Sequence, residues 1–120
     1  MKTIVVVEDN ADNRLLLRSL LGDTYHITEY ASGAEALAGL SNERPDLVIL
    51  DISLPGMGGE EVLAHIRADP SLRDLPVIAL TAHAMAGDRE RLLEAGFDDY
   101  LAKPITDEEV LFSAIRARIG

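Results

Sequence analysis

Short apolar runs recur along the chain, and several end abruptly on a polar group. Thr3 to Val7 stops at Glu8-Asp9-Asn10, Leu47 to Leu50 at Asp51, and Val77 to Leu80 at Thr81. The shorter run Tyr100-Leu101-Ala102 stops at Lys103-Pro104. Continuous apolar runs of this length, rich in branched residues, predict strands buried on both faces. His26 to Tyr30 predicts a fifth, short strand, the second in chain order.

The segments between carry helical signals. Asp12 to Leu21 places leucines at helical spacing, and Gly22 supplies a stop. Ser32-Gly33-Ala34-Glu35 has the form of a capping box and opens a helix to about Leu40. Glu60 to Ala68 is amphipathic and ends before Asp69-Pro70; Asp88 to Ala95 is followed by Gly96 as a C-terminal cap. Thr106-Asp107-Glu108-Glu109 reads as a second capping box for a helix to about Ile119, with Arg116 and Arg118 near its C-terminal end. Pro45, Pro55-Gly56 and Pro76 punctuate the loops. Five strands alternating with five helices predict an α/β fold with a doubly wound parallel sheet. No linker, repeat or low-complexity stretch interrupts residues 1–120, so one domain is expected.

Composition narrows the function classes. Aromatics make up only 4% of the chain against 48% hydrophobic residues, so the core must be aliphatic. The net charge of −10 disfavours direct contact with a nucleic-acid backbone and suits a protein that recruits cations or basic surfaces. Cysteine is absent, which excludes a disulfide frame and thiol chemistry. The N-terminal apolar stretch is too short for a membrane span and lacks a cleavage signal, making the cytoplasm the default compartment.

In doubly wound sheets, ligands bind outside the carboxyl ends of the strands. There this chain offers three carboxylates (Glu8, Asp9, Asp51), one hydroxyl (Thr81) and one ammonium (Lys103). Each is ordinary alone: an acid after a strand often caps a turn, and a threonine there often caps a helix. Lys103 is more telling, because the chain has only two lysines and this one precedes proline at a strand end. Clustered carboxylates repel one another unless a hard cation joins them, and magnesium accepts a few carboxylates together with water and phosphate oxygens. The set suits attack of a carboxylate on phosphorus, where positioning and charge neutralisation dominate.

Four segments in order resemble the receiver domain of two-component response regulators, over Lys2 to about Ile119. They are Val6-Val7-Glu8-Asp9-Asn10, Leu50 through Gly59, Ala79-Leu80-Thr81-Ala82, and Tyr100-Leu101-Ala102-Lys103-Pro104. The resemblance implies a flavodoxin-like strand order 2-1-3-4-5 with five flanking helices. It implies Asp51 as phospho-acceptor, with Mg2+ (Mn2+ as a substitute) held by Asp9, Asp51 and the Ser53 backbone carbonyl, and Glu8 acting through water. Thr81 and Lys103 would meet the phosphoryl oxygens, Tyr100 would move inward as Thr81 shifts, and the Lys103-Pro104 peptide would be cis. Ser53 and His83 occupy positions that tune phosphoryl lifetime. Two departures stand out: Glu-Asp replaces the commoner Asp-Asp pair, and Gly58 stands where many relatives carry a polar residue, loosening the loop.

The resemblance further implies a histidine kinase or histidine phosphotransfer protein as donor, docking near the rim and the first helix, where Leu15 is a candidate contact. An effector would bind the surface formed by about Asp88 to Ile119, with the chain a monomer or a phosphorylation-dependent dimer. No DNA-binding region is expected beyond Gly120, and output is expected through protein contact or phosphate relay. Such a domain is not an enzyme beyond its own phosphoryl transfer and dephosphorylation. A receiver module of a hybrid kinase is the nearest alternative. A flavodoxin-like electron carrier needs a Ser/Thr/Gly-rich phosphate loop where Glu8-Asp9-Asn10 stands. A magnesium phosphohydrolase usually has a second acid two residues after its nucleophile, where this chain has Ser53.

Overall fold

A computed structural model describes residues 1–82 and 87–120. The described elements alternate along the chain: β1 (Thr3–Val7), α1 (Ala11–Leu21), β2 (His26–Tyr30), α2 (Gly33–Asn42), β3 (Leu47–Asp51), α3 (Gly59–Ala68), β4 (Val77–Thr81), α4 (Asp88–Ala95), β5 (Asp99–Ala102) and α5 (Glu108–Ile119). The strands form one parallel sheet in the order β2-β1-β3-β4-β5. This is the expected α/β, flavodoxin-like arrangement.

Alternation along the buried strands builds two cores. Val5, Val7, Val48, Leu50, Val77 and Ala79 face α2, α3 and Leu92 of α4. Ile4, Val6, Leu47, Ile49, Ile78 and Leu80 face α1 and α5. Because both faces are covered, β1, β3 and β4 need continuous apolar sequence, which is why their runs were conspicuous.

Register then places the strand ends. Val7 pairs with Leu50, Asp51 with Leu80, and Thr81 with Ala102. Glu8, Asp51, Thr81 and Lys103 therefore leave neighbouring strands at one edge of the sheet.

Most element ends agree with the sequence reading to within a residue or two; one cap does not. Thr106 is not the cap of α5. Asp107 holds extended dihedrals (φ −125°, ψ 102°), and its carboxylate accepts from the Glu109 and Val110 N–H groups. A carboxylate is a strong acceptor beside the positive end of a helix, so the cap moves one residue inward. Ser32 does cap α2, accepting from the Glu35 N–H. Asn10 caps α1 through Asp12 and Asn13, starting that helix at Ala11.

At the opposite edge, Arg67 of α3 donates to the carbonyls of Gly96, Arg73 and Leu75 and pairs with Asp98 at 3.1 Å. It thereby ties the C-terminal ends of α3 and α4 to the start of β4. Gly96 closes α4 at φ +113°, a left-handed conformation that favours glycine.

Candidate functional site

The rim begins with Glu8, which has no exposed surface, and Asp51, which is 1% exposed. Such burial of carboxylates requires partners. The Glu8 Oε1 atom accepts from Lys103 Nζ at 3.0 Å and from Asn13 Nδ2 at 3.1 Å, and Oε2 accepts from the Asn10 N–H at 3.0 Å. Asp51 Oδ2 accepts from Lys103 Nζ at 3.0 Å, while Oδ1 accepts from the Ser53 N–H at 2.9 Å. One ammonium thus bridges two buried acids. The Lys103-Pro104 peptide is cis, and the Lys103 N–H donates to the Thr81 carbonyl at 2.8 Å, continuing the β4–β5 ladder past Ala102.

Asp9 is exposed beside this pair, and carboxylate oxygens of Glu8, Asp9 and Asp51 all lie within 4.8 Å of one another. An all-oxygen donor set with surplus negative charge fits a hard divalent cation. Glycine shapes the loop beyond it. A Cβ on Gly59 would lie 2.5 Å from the Asp51 carbonyl oxygen and 2.6 Å from Ile52 Cα. The start of α3 can therefore press against the end of β3 only as glycine. Gly56 makes the preceding turn at φ +74°.

The charges divide unequally. Burial pushes Glu8 up, but hydrogen bonds from the Asn10 N–H and Lys103 outweigh it and hold the carboxyl at about 2. Burial also pushes Asp51 up, and the Glu8 charge adds to this; Ser53 and Lys103 offset only part, leaving Asp51 above its ordinary value. Burial pulls Lys103 down, yet the two acids more than compensate and keep it firmly cationic.

Thr81 is fully buried at the end of β4. Ser53 is exposed, and its backbone borders Asp51. Tyr100, on β5, is partly buried against the core over α2–α4, and its N–H donates to Asp99 Oδ1. His83 lies outside the described residues. Leu15 is 62% exposed on α1. A groove of about 470 Å3 lies away from the rim, between β5 and α5, lined by Tyr100, Val110, Ala114 and the acids Asp99, Asp107 and Glu109.

Sequence reasoning missed Asn13 and Arg14. Besides the Asn13 bond to the Glu8 side chain, Arg14 Nη1 donates to the Glu8 backbone carbonyl at 2.6 Å. A signal did exist: Asn13, Leu17 and Leu21 form one stripe at helical spacing, and the two leucines are buried. A polar residue heading a buried stripe is a candidate for a specific bond.

Among the described residues, no helix is long and apolar enough to cross a membrane. The response regulator receiver domain model matches residues 4–116. The polar-differentiation response regulator DivK of Brucella anthropi is 42% identical over 106 residues, 88% of this chain and 86% of that protein. The receiver domain of the sensor histidine kinase PA1611 of Pseudomonas aeruginosa, with a magnesium ion coordinated in its active site cleft, is 38% identical. It superimposes with a TM-score of 0.90 over 99% of this chain and 98% of that one. The Mn(2+)-bound form of response regulator Rcp1 is 28% identical, with a TM-score of 0.80 over 95% of this chain and 89% of that one.

Proposed function

We propose, from the premise that this chain belongs to the response regulator receiver domain family, that it is a phosphorelay module accepting a phosphoryl group on Asp51. The carrying observation is the single ammonium of Lys103 bridging the buried Glu8 and Asp51, 3.0 Å from each. Two acids with one cation leave a deficit of positive charge at the place where a phosphoryl group would bring more negative charge.

Asp9, Asp51 and the Ser53 carbonyl would hold Mg2+ or Mn2+, with Glu8 acting through water. The cation would neutralise the surplus charge and screen the incoming phosphoryl oxygens. In the transfer, an Asp51 carboxylate oxygen bonds to phosphorus as the bond from phosphorus to the donor histidine nitrogen breaks. Lys103 pairs with the transferred group and Thr81 donates a hydrogen bond to it. Inward movement of Tyr100 would carry the change to α4, β5 and α5. Ser53, two residues beyond Asp51, and His83, two residues beyond Thr81 in the sequence, would tune the lifetime of the phosphoryl group.

A histidine kinase or phosphotransfer protein would dock at the rim beside α1, where exposed Leu15 offers an apolar contact. An effector, or a second copy of the chain, would use the surface from α4 to α5. The acidic residues lining the β5–α5 groove favour an effector with a basic surface. The likeness to the PA1611 receiver domain also supports a second reading, a receiver module working within a kinase.

Incubation with Mg2+ and acetyl phosphate, followed by intact mass measurement, tests the proposal. One added phosphoryl group is expected, labile to hydroxylamine and absent from Asp51→Asn. An unchanged wild-type mass with Mg2+ bound would overturn phospho-acceptance.

A further inference from the structure

The first turns of α1 grip Glu8 twice, and the proposed function leaves that grip without a role. Arg14 Nη1 reaches the Glu8 carbonyl at 2.6 Å, and Asn13 Nδ2 reaches the side-chain Oε1 at 3.1 Å. An ionised carboxylate only accepts hydrogen bonds, so the Asn13 carboxamide must present its NH2 group to it. With Lys103 on the same oxygen and the Asn10 N–H on the other, Glu8 has three donors and a fixed plane. Asn13 differs in kind from Lys103, the donor that shares its oxygen. It is neutral, so it orients the acid without cancelling any charge that a cation would need. It is also rigidly placed, heading the stripe whose next members, Leu17 and Leu21, are locked in the core.

We propose that Asn13 is a positioning residue of the acidic pocket, its carboxamide fixing the Glu8 carboxylate in the orientation from which it serves a divalent cation. This rests on the reading of Glu8, Asp9 and Asp51 as a cation site. Without the amide, Oε1 keeps only Lys103 and Oε2 only the Asn10 N–H, so two donors instead of three hold the carboxylate and its orientation loosens. The cation then loses a fixed acidic neighbour. Partners that orient groups around a metal commonly contribute 10- to 100-fold in affinity. Because Glu8 would act through water, the lower end, about tenfold, is expected here.

The test is calorimetric titration of the intact protein with MgCl2, for wild type, Asn13→Ala, Asn13→Leu and Asn13→Gln. Alanine and leucine remove the donor, one leaving space and the other nearly filling it. Glutamine keeps the donor on a longer arm. The inference expects the Mg2+ dissociation constant to rise about tenfold in the Ala and Leu variants, and glutamine to recover most of the loss. Acetyl phosphate labelling at saturating Mg2+ should fall much less than affinity in all three, because Glu8 acts on the cation and Asp51 on phosphorus. Thermal melts in EDTA identify any variant that fails to fold; the remaining donor-less variant then decides. Unchanged affinity in the Ala or Leu variant overturns the inference, and so does an equal loss in Gln, which would point to packing. A wild type that binds no Mg2+ removes the proposed function and this inference together. Normal wild-type binding with an unaltered Ala variant removes this inference alone.

Discussion

Burial and the adjacent Glu8 carboxylate raise Asp51 above the usual aspartate range, so its ionised form is a cost that the folded, cation-free protein carries. The sign follows from linkage. A carboxyl raised by folding favours the folded state while protonated, and that contribution is lost as pH rises through its folded value. Glu8 behaves oppositely: lowered from 4.5 to about 2, it stabilises the fold above the ordinary glutamate range and loses that effect as pH falls toward 2. Asp51→Asn leaves Lys103 and Glu8 as a matched pair. In EDTA at neutral pH the variant should be more stable than wild type by about 1 kcal/mol. For a chain of this size that is roughly 3–6 °C in thermal midpoint, and the gain should shrink as pH falls into the ordinary aspartate range. Melting curves across pH check both parts; a variant that melts earlier at neutral pH would contradict the repulsion argument. Which acids meet was legible in the sequence, because each follows an apolar run. Their unequal ionisation was not, since it depends on Lys103 lying between them and on donors from Asn10, Asn13 and Ser53 that sequence spacing does not reveal.

Consecutive glycines at the start of α3 do different work. Gly59 lies against the end of β3, where an added Cβ would sit 2.5 Å from the Asp51 carbonyl oxygen. Gly58 caps the helix with φ −70° and no side-chain cap bond, and the nearest atom to an added Cβ is 3.7 Å away. Gly59→Ala should therefore destabilise by about 1–3 kcal/mol and slow acetyl phosphate labelling, since the backbone that must give way belongs to Asp51. Gly58→Ser should gain about 0.5 kcal/mol by supplying the missing cap, with labelling little changed. Denaturant melts and labelling rates on the pair separate the two effects. At this scale the sequence was most readable where strands are buried on both faces, because unbroken apolar runs mark them. It was least readable at helix starts. Thr106 and Asp107 are both good caps, and only the backbone path out of Pro104 decides that Asp107 takes the position. Arg67 was equally hidden: its partners lie in the loop before β4 and the loop between α4 and β5, brought together by topology alone.

Across the whole molecule, 21 acidic residues face 11 basic ones, and three of the acids, Glu8, Asp9 and Asp51, bring carboxylate oxygens within 4.8 Å of one another. Added salt should stabilise the protein by screening this self-repulsion, and so would any divalent ion acting merely as a better screen. Mass action distinguishes a site from screening. A ligand bound only by the folded state contributes about 1.4 kcal/mol when present at ten times its dissociation constant, or roughly 4–8 °C here. Thermal midpoints measured in MgCl2 and in NaCl of matched ionic strength should therefore differ by that amount in wild type. Asp9→Asn should bring the two salts close together, because it removes an exposed acid of the proposed cation site while leaving the Lys103 bridge intact. Asp51→Asn should also lose the Mg2+ increment, but from a higher starting midpoint, because the neutral amide no longer repels Glu8. A general surface effect predicts something else: every charge-neutralising substitution, wherever it lies, would reduce the response to both salts alike. Reversing a distant acid such as Glu43, exposed beyond α2, supplies that control. If Glu43→Lys blunts the Mg2+ increment as much as Asp9→Asn does, the acidic rim is only part of a charged surface, and the cation site is not where the geometry puts it.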